Sequence, residues 1–312
     1  MSPDPQLIND IAAELGISPA FVEKDWYSVQ ALKCIAGHHS DAFTTIFSGG
    51  TSLSKGYGLI QRFSEDLDFR CLALKDGSQN QMRGYRRDFK NGLLSAIEAL
   101  DGVTLDRSSV EAASNYIKFP LPYPQEHAGH QALRPHLQLE FSFTRPRLEP
   151  ELRPIQSLVA QFSGEGPEIN VLCLASIETA ADKLSALTWR VLKRDRSDPA
   201  DDPTLVRHLH DLAALRLIVE QEKALFVQTS RSAFQEDQRS GRRDTAAGYE
   251  ESLRQAADML GRDDAYRTEY GQFVDAMSYA SDADNISFDD ALDSLERLVS
   301  FFEGKHPVIT PC

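Results

Sequence analysis

Hydrophobic and polar residues are patterned most sharply around one stretch of the chain. Phe43-Thr-Thr-Ile-Phe47 reads as a buried strand, and Ser48-Gly-Gly-Thr51 breaks it. Two adjacent glycines allow a sharp turn and a close approach of backbone to ligand. Thr51 is placed to cap a helix over TSLSKGYGLI. A strand-like alternation begins at Asp66. It puts Asp66 and Asp68 on one face and Leu67 and Phe69 on the other.

Upstream, residues 5–15 read as a short helix, and Ser18-Pro19 opens a second one, PAFVEKDWYSVQALKCIAG. Phe21, Val22, Trp26, Val29, Leu32 and Ile35 keep close to helical spacing, and Glu23-Lys24-Asp25 between them reads as a charged solvent face. Downstream, a loop over Gly77–Asn80 leads into a helix over Gln81–Leu100. Arg83, Arg86, Arg87 and Lys90 share one side of it, with Tyr85 and Phe89 among them. Such a row either tracks phosphates or faces solvent, and the pattern alone leaves both readings open.

Residues 102–160 carry β-patterning, with candidate strands Val103–Asp106, Tyr116–Leu121, Arg134–Phe143 and Pro154–Phe162. In the third, Leu137, Leu139, Phe141 and Phe143 alternate with Gln138, Glu140 and Ser142. A buried mid-strand glutamate is costly unless paired or metal-bound, which makes Glu140 a candidate third carboxylate. From about residue 173 the strand pattern stops. Ser176 caps a helix to about Arg194 that puts Lys183, Leu187, Arg190 and Arg194 on one face. The Asp- and Pro-rich segment 195–203 ends it, and a leucine-spaced helix over Leu205–Leu217 carries His208, His210 and Asp211. The two histidines do not share a helical face, so they make a poor metal pair and read as a polar N-terminal turn. Residues 236–245, with Arg239, Arg242 and Arg243, read as a mobile loop, and amphipathic helices follow near 246–260, 263–279 and 287–303.

Composition narrows the function classes. The 312 residues give room for one large or two ordinary domains, and 41% hydrophobic with 26% charged residues is a globular balance. No apolar run is long enough to span a membrane, and the N-terminus lacks a basic stretch followed by an apolar one. Cys34, Cys71, Cys173 and Cys312 are widely spaced, which argues against a zinc site or a disulfide framework and points to a reducing cytoplasm. A net charge of −14 means that a nucleic-acid partner needs a local basic patch.

The chemistry converges on the first stretch. A lone DxD is most often surface, but two carboxylates beside a Gly-Gly-Thr turn can hold a divalent cation and, through it, phosphate oxygens. GGTSLSKG does not align with a P-loop, which disfavours a hydrolytic NTPase. Taken together, FVEKDWYSVQAL, FSGGTSLSKGYG, RFSEDLDF, IETAADKLSAL and RHLHDLAAL resemble the nucleotidyltransferase toxins of the AbiEii/AbiGii family, which includes the MenT-type toxins. The motifs run in the family's order from about residue 21 to 215, and GGTSLSK with SEDLDF is the specific combination.

The resemblance implies an α+β fold. A nucleotidyltransferase-like mixed-sheet domain over residues 1–172 would be followed by an α-helical domain over 173–312 that completes the active-site cleft. It implies a bacterial toxin–antitoxin or abortive-infection toxin with a cognate antitoxin. Its reaction would be transfer of a nucleotide from an NTP to RNA, most directly a tRNA 3′ end, with Mg²⁺ or Mn²⁺. Gly50 and Thr51 match the pair that holds the triphosphate, with Gly49 completing the turn and Lys55 adding charge. Asp66 and Asp68 match the metal-binding carboxylates, and Glu140 would complete that set. Lys183 matches the lysine of an AEKL-type helix, and Asp211 the second acid of an RDLYDL-type motif, where His208 stands in place of the first acid. A protein acceptor, or an inactive binding module, is the alternative. The intact DxD argues against the module, and Arg83–Lys90 argues for RNA. Ser64 shares the face of Asp66 if the strand extends that far, so a phosphate there would stop transfer; otherwise it caps the turn.

Overall fold

Asp4 starts the first helix by accepting the Gln6 N–H at 3.0 Å, with Pro5 at the first helical position. This is a computed structural model in which residues 3–241, 248–281 and 284–303 are described. The chain divides into two units, residues 1–175 and 176–312. Helix α1 (Pro5–Leu15) closes at Gly16 with φ 66°, and α2 (Pro19–Gly37) follows. Ile8, Ile11 and Ala12 of α1 pack with Val22 of α2 in a small core of their own.

The first unit is built on one seven-stranded mixed sheet. Its elements in chain order are β1 (Phe43–Ser48), α3 (Gly49–Lys55), β2 (Asp66–Ala73), α4 (Gln79–Glu98), β3 (Glu111–Ala112) and β4 (Tyr116–Pro122). They continue as β5 (His136–Ser142), β6 (Glu151–Ile155), α5 (Leu158–Phe162) and β7 (Ile169–Cys173). The strand order is β3-β4-β5-β2-β1-β7-β6. Strand β2 runs antiparallel to β1 and parallel to β5, and β1 runs parallel to β7. In register, Phe47, Phe69 and Phe141 line one face, and the Phe69 and Phe141 rings stack at 4.8 Å. That face carries the main core, against Val29, Leu32 and Ile35 of α2 and Phe89, Leu93 and Ile97 of α4. Ser48, Asp68 and Glu140, also in register, line the other face.

Three strand expectations change. Val103–Asp106 forms no ladder; Thr104 N–H bonds the Pro122 carbonyl at 3.2 Å. The expected strand Pro154–Phe162 is the end of β6 followed by α5, because Ser157 caps that helix by accepting the Ala160 N–H at 3.1 Å. Strand β7, not anticipated, lies between β1 and β6 and pairs with both.

The second unit is helical: α6 (Ser176–Leu192), α7 (Arg207–Gln221), α8 (Lys223–Arg239), α9 (Tyr249–Arg262), α10 (Asp264–Met277) and α11 (Phe288–Val299). Leu184, Leu187, Leu209, Leu212, Leu215, Phe226 and Leu298 are buried in it. Arg194 bonds Asp201 at 2.8 Å and Glu269 at 2.6 Å, and so pins the Asp-rich segment after α6. Of the expected loop 236–245, Arg239 closes α8, whereas Arg242 and Arg243 lie outside the described residues. Among the described residues, no helix is long and apolar enough to cross a membrane.

Candidate functional site

Asp66 is the first residue of β2, and Asp68 lies opposite Ser48 of β1 and beside Glu140 of β5. Gly49, where β1 gives way to α3, has φ +77°, and a Cβ there would collide with the Asp68 carboxylate. Glycine is therefore needed twice, for conformation and for space. Thr51 does not cap α3, which begins at Gly49; its hydroxyl instead donates to the Asp66 carbonyl at 2.6 Å. Ser48 Oγ donates to the Asp68 carbonyl at 3.2 Å. These two bonds fix the start of β2 against the turn. A Cβ at Gly50 would meet Arg62 Nη2 and Ser64 Oγ, each at 2.9 Å. Ser64 precedes the strand, so the shared strand face expected for it does not form; it sits against Gly50 instead.

The charges around Asp66 form a chain. Arg134 Nη1 bonds Asp66 Oδ1 at 2.7 Å. Glu65 accepts the Arg134 backbone N–H and, at 2.7 Å, Lys24 Nζ; Lys24 also donates to the Arg134 carbonyl at 3.0 Å. Lys24 is 5% exposed. Burial lowers its pKa, with the charge and hydrogen bond of Glu65 opposing.

Its neighbours are buried too, which corrects the solvent-face reading of Glu23-Lys24-Asp25. Glu23 accepts the Glu126 N–H at 2.9 Å and faces His127 Nδ1 at 3.3 Å. Asp25 pairs with Lys55 and accepts the Leu158 N–H at 2.7 Å. Successive side chains on a helix point about 100° apart, so the three charges reach three different segments. Phe21, Val22, Tyr27 and Val29 are all buried, and apolar residues on every side of a helix are the sequence signal for full burial. Lys55, expected at the phosphates, thus sits on Asp25 and lies 3.4 Å from the Gln156 carbonyl.

Glu140 is half-exposed, not buried, and Lys118 of β4 holds it at 2.8 Å. Burial therefore imposes no need for a metal at Glu140. Among the described residues, no three His, Cys, Asp or Glu side chains gather as a metal cluster. The Asp66 and Asp68 oxygens are nevertheless hard donors on one sheet face, the type that Mg²⁺ or Mn²⁺ takes.

In the second unit Lys183 of α6 and Asp211 of α7 are brought together, buried, at 2.5 Å. His210 Nδ1 is 3.6 Å from Asp211 and its ring packs near Tyr270 and Phe273. Both ring nitrogens of His208 are buried without a hydrogen-bond partner among the described residues. Burial, then Lys183, Arg207 and Arg190, push its pKa well below the usual value. Both histidines sit in the first turn of α7, as expected, but His210 and the ring nitrogens of His208 are buried and do not face solvent. Arg83, Arg86, Arg87 and Lys90 line a groove beside α4, whereas Phe89 is in the core. Lys24, Glu65, Arg62 and Arg134 are the site residues that sequence reasoning missed.

Residues 30–294 match the family model described as nucleotidyl transferase AbiEii toxin, type IV toxin–antitoxin system. Comparison with curated proteins gave no match. Among solved structures, the chain is similar to MenT4, a nucleotidyltransferase toxin from Mycobacterium tuberculosis H37Rv, with a TM-score of 0.51 and 16% identity over 97% of this chain and 100% of that one. That likeness extends to the fold.

Proposed function

The chain belongs to the AbiEii family of nucleotidyltransferase toxins of type IV toxin–antitoxin systems, and we propose that it moves a nucleotide from an NTP to the 3′ end of RNA, with tRNA as the acceptor. The observation that carries this reading is the Asp68 carboxylate lying directly over Gly49, with Asp66 on the same face. The acceptor hydroxyl gives up its proton to solvent, and its oxygen bonds to the α-phosphorus as the bond to pyrophosphate breaks. Asp66 and Asp68, with Glu140 beside them, would hold Mg²⁺ or Mn²⁺, which when bound neutralises phosphate charge and acidifies the hydroxyl. Backbone at Gly49, Gly50 and Thr51 binds the triphosphate, and Arg134 balances Asp66 until the site is loaded. Lys55 orients the turn through Asp25. The resemblance of IETAADKLSAL and RHLHDLAAL to the family's motifs supports Lys183 as a triphosphate ligand and Asp211 in the same chemistry. A toxin that acts on tRNA would work in the cytoplasm, beside its antitoxin.

Incubating the protein with each labelled NTP and either total tRNA or total protein tests this. Label is expected in tRNA. Label in protein instead would replace RNA as the acceptor, and no label in either would remove the transferase reading.

A further inference from the structure

One feature of the first unit lies away from Asp66 and Asp68. An open groove of about 570 Å³ runs between α4 and the β3–β4 edge. Arg83, Arg86, Arg87 and Lys90 line one wall, and Ala112, Ile117 and Phe143 line the other. Ile117 is in register with Phe141 on the apolar face of the sheet, whereas Asp68 is in register with Glu140 on the opposite face. Phe143 follows the last residue of β5, and the groove also includes Gly77, past the end of β2. The groove is therefore on the other face and at the other end of β2.

Four cations stand over two turns of α4, a rise of about 10 Å. Arg87 pairs with exposed Asp88 at 3.2 Å. Arg83, Arg86 and Lys90 have no carboxylate partner among the described residues. Arg86 stands 5.4 Å from the Phe143 ring, and its Nε is buried with no hydrogen-bond partner among the described residues. In a chain of net charge −14, such a concentration of unpaired positive charge calls for an anionic ligand. A linear row of cations with an aromatic ring suits a phosphodiester backbone.

We propose that this groove holds the backbone of the acceptor RNA, remote from the 3′ end being modified. The proposal rests on the RNA reading above and deepens it. From Asp66 to Ala73 the strand alone covers about 23 Å. One RNA that touches both places must be long and turn around the sheet, so a folded RNA fits and a short single strand does not.

The test is direct binding, followed by fluorescence anisotropy, of a full-length tRNA transcript and of a short single strand carrying only its 3′ end. Wild type is compared with the Arg83→Gln, Arg87→Gln, Lys90→Gln triple variant, whose changes lie outside the core. The triple variant should bind tRNA about tenfold more weakly, and its slope of log Kd against log salt should be shallower by about 2. Its binding of the short strand should be unchanged. An unchanged tRNA Kd and slope, or a wild type that does not bind tRNA, overturns the groove. So does a variant that loses binding of a polyglutamate peptide but keeps tRNA, since the groove then serves an acidic protein. Binding needs no turnover. Groove-dependent tRNA binding without nucleotide transfer would sink the transferase reading and leave this one standing.

Discussion

A methyl group at position 49 would occupy the space that the Asp68 carboxylate fills, on a backbone with φ +77°. Gly49→Ala should therefore cost about 1–3 kcal/mol of stability and also remove transfer, because the carboxylate must move. Urea unfolding and labelled-NTP transfer measure the two effects; an active, fully stable variant would contradict the close approach. Asp66→Asn and Asp68→Asn should abolish transfer while circular dichroism stays that of wild type. A folded Asp66→Asn protein that transfers at the wild-type rate would refute its role. Ser64 lies against Gly50, beside the proposed triphosphate site. Negative charge there should repel phosphate, so Ser64→Asp should transfer more slowly than Ser64→Ala. Equal rates would end the idea of Ser64 as a control point.

Helix α2 holds the loops around this turn through three buried charges in a row. Lys24→Met leaves Glu65 with only the Arg134 N–H and its guanidinium at 3.9 Å, and should cost about 1–3 kcal/mol in chemical denaturation. A loss as small as that of a surface lysine would mean that the network does not hold the loop. Helices α6 and α7 are tied by Lys183 and Asp211, so Lys183→Ala should destabilise the second unit as well as weaken NTP binding. Unchanged NTP affinity with a lowered melting temperature would leave Lys183 a purely structural residue. These elements also mark what the sequence could reveal. The DLDF alternation and the Gly-Gly turn were legible because a strand's period and a glycine's freedom are local properties. The role of Glu23-Lys24-Asp25 was not legible, since its partners Glu126, Arg134 and Leu158 lie 103, 110 and 133 residues away. Sequence separation also hid Arg134 beside Asp66, 68 residues apart. Strand β7 was missed because five residues against β6 and β1 give too short a pattern to declare a strand.

Across the chain, buried titratable groups should limit the range of pH in which it holds together. Burial pushes the Cys71 thiol up to about 12 and the Cys173 thiol up to about 11, from an ordinary value of 9.0. Raised values stabilise the fold fully below pH 9.0, and that stability is lost as pH rises towards 11–12. His208 works at the other end. It stays neutral in the fold while the unfolded chain takes up a proton below 6.5, so stability falls as pH drops below that value. Melting temperature against pH should thus decline on both sides, and His208→Asn should flatten the acid side. Persistence of the acid decline in that variant would assign it to other groups. The bond from Asp25 to the Leu158 N–H has a consequence in time. The two residues are 133 apart in the chain, and a ribosome adds roughly 5–20 residues each second, so on the order of ten seconds separates their synthesis. Through that interval Glu65, Arg134 and the start of α5 have not all emerged to meet α2. The contacts that hold α2 against the turn therefore cannot close until residue 158 has left the ribosome.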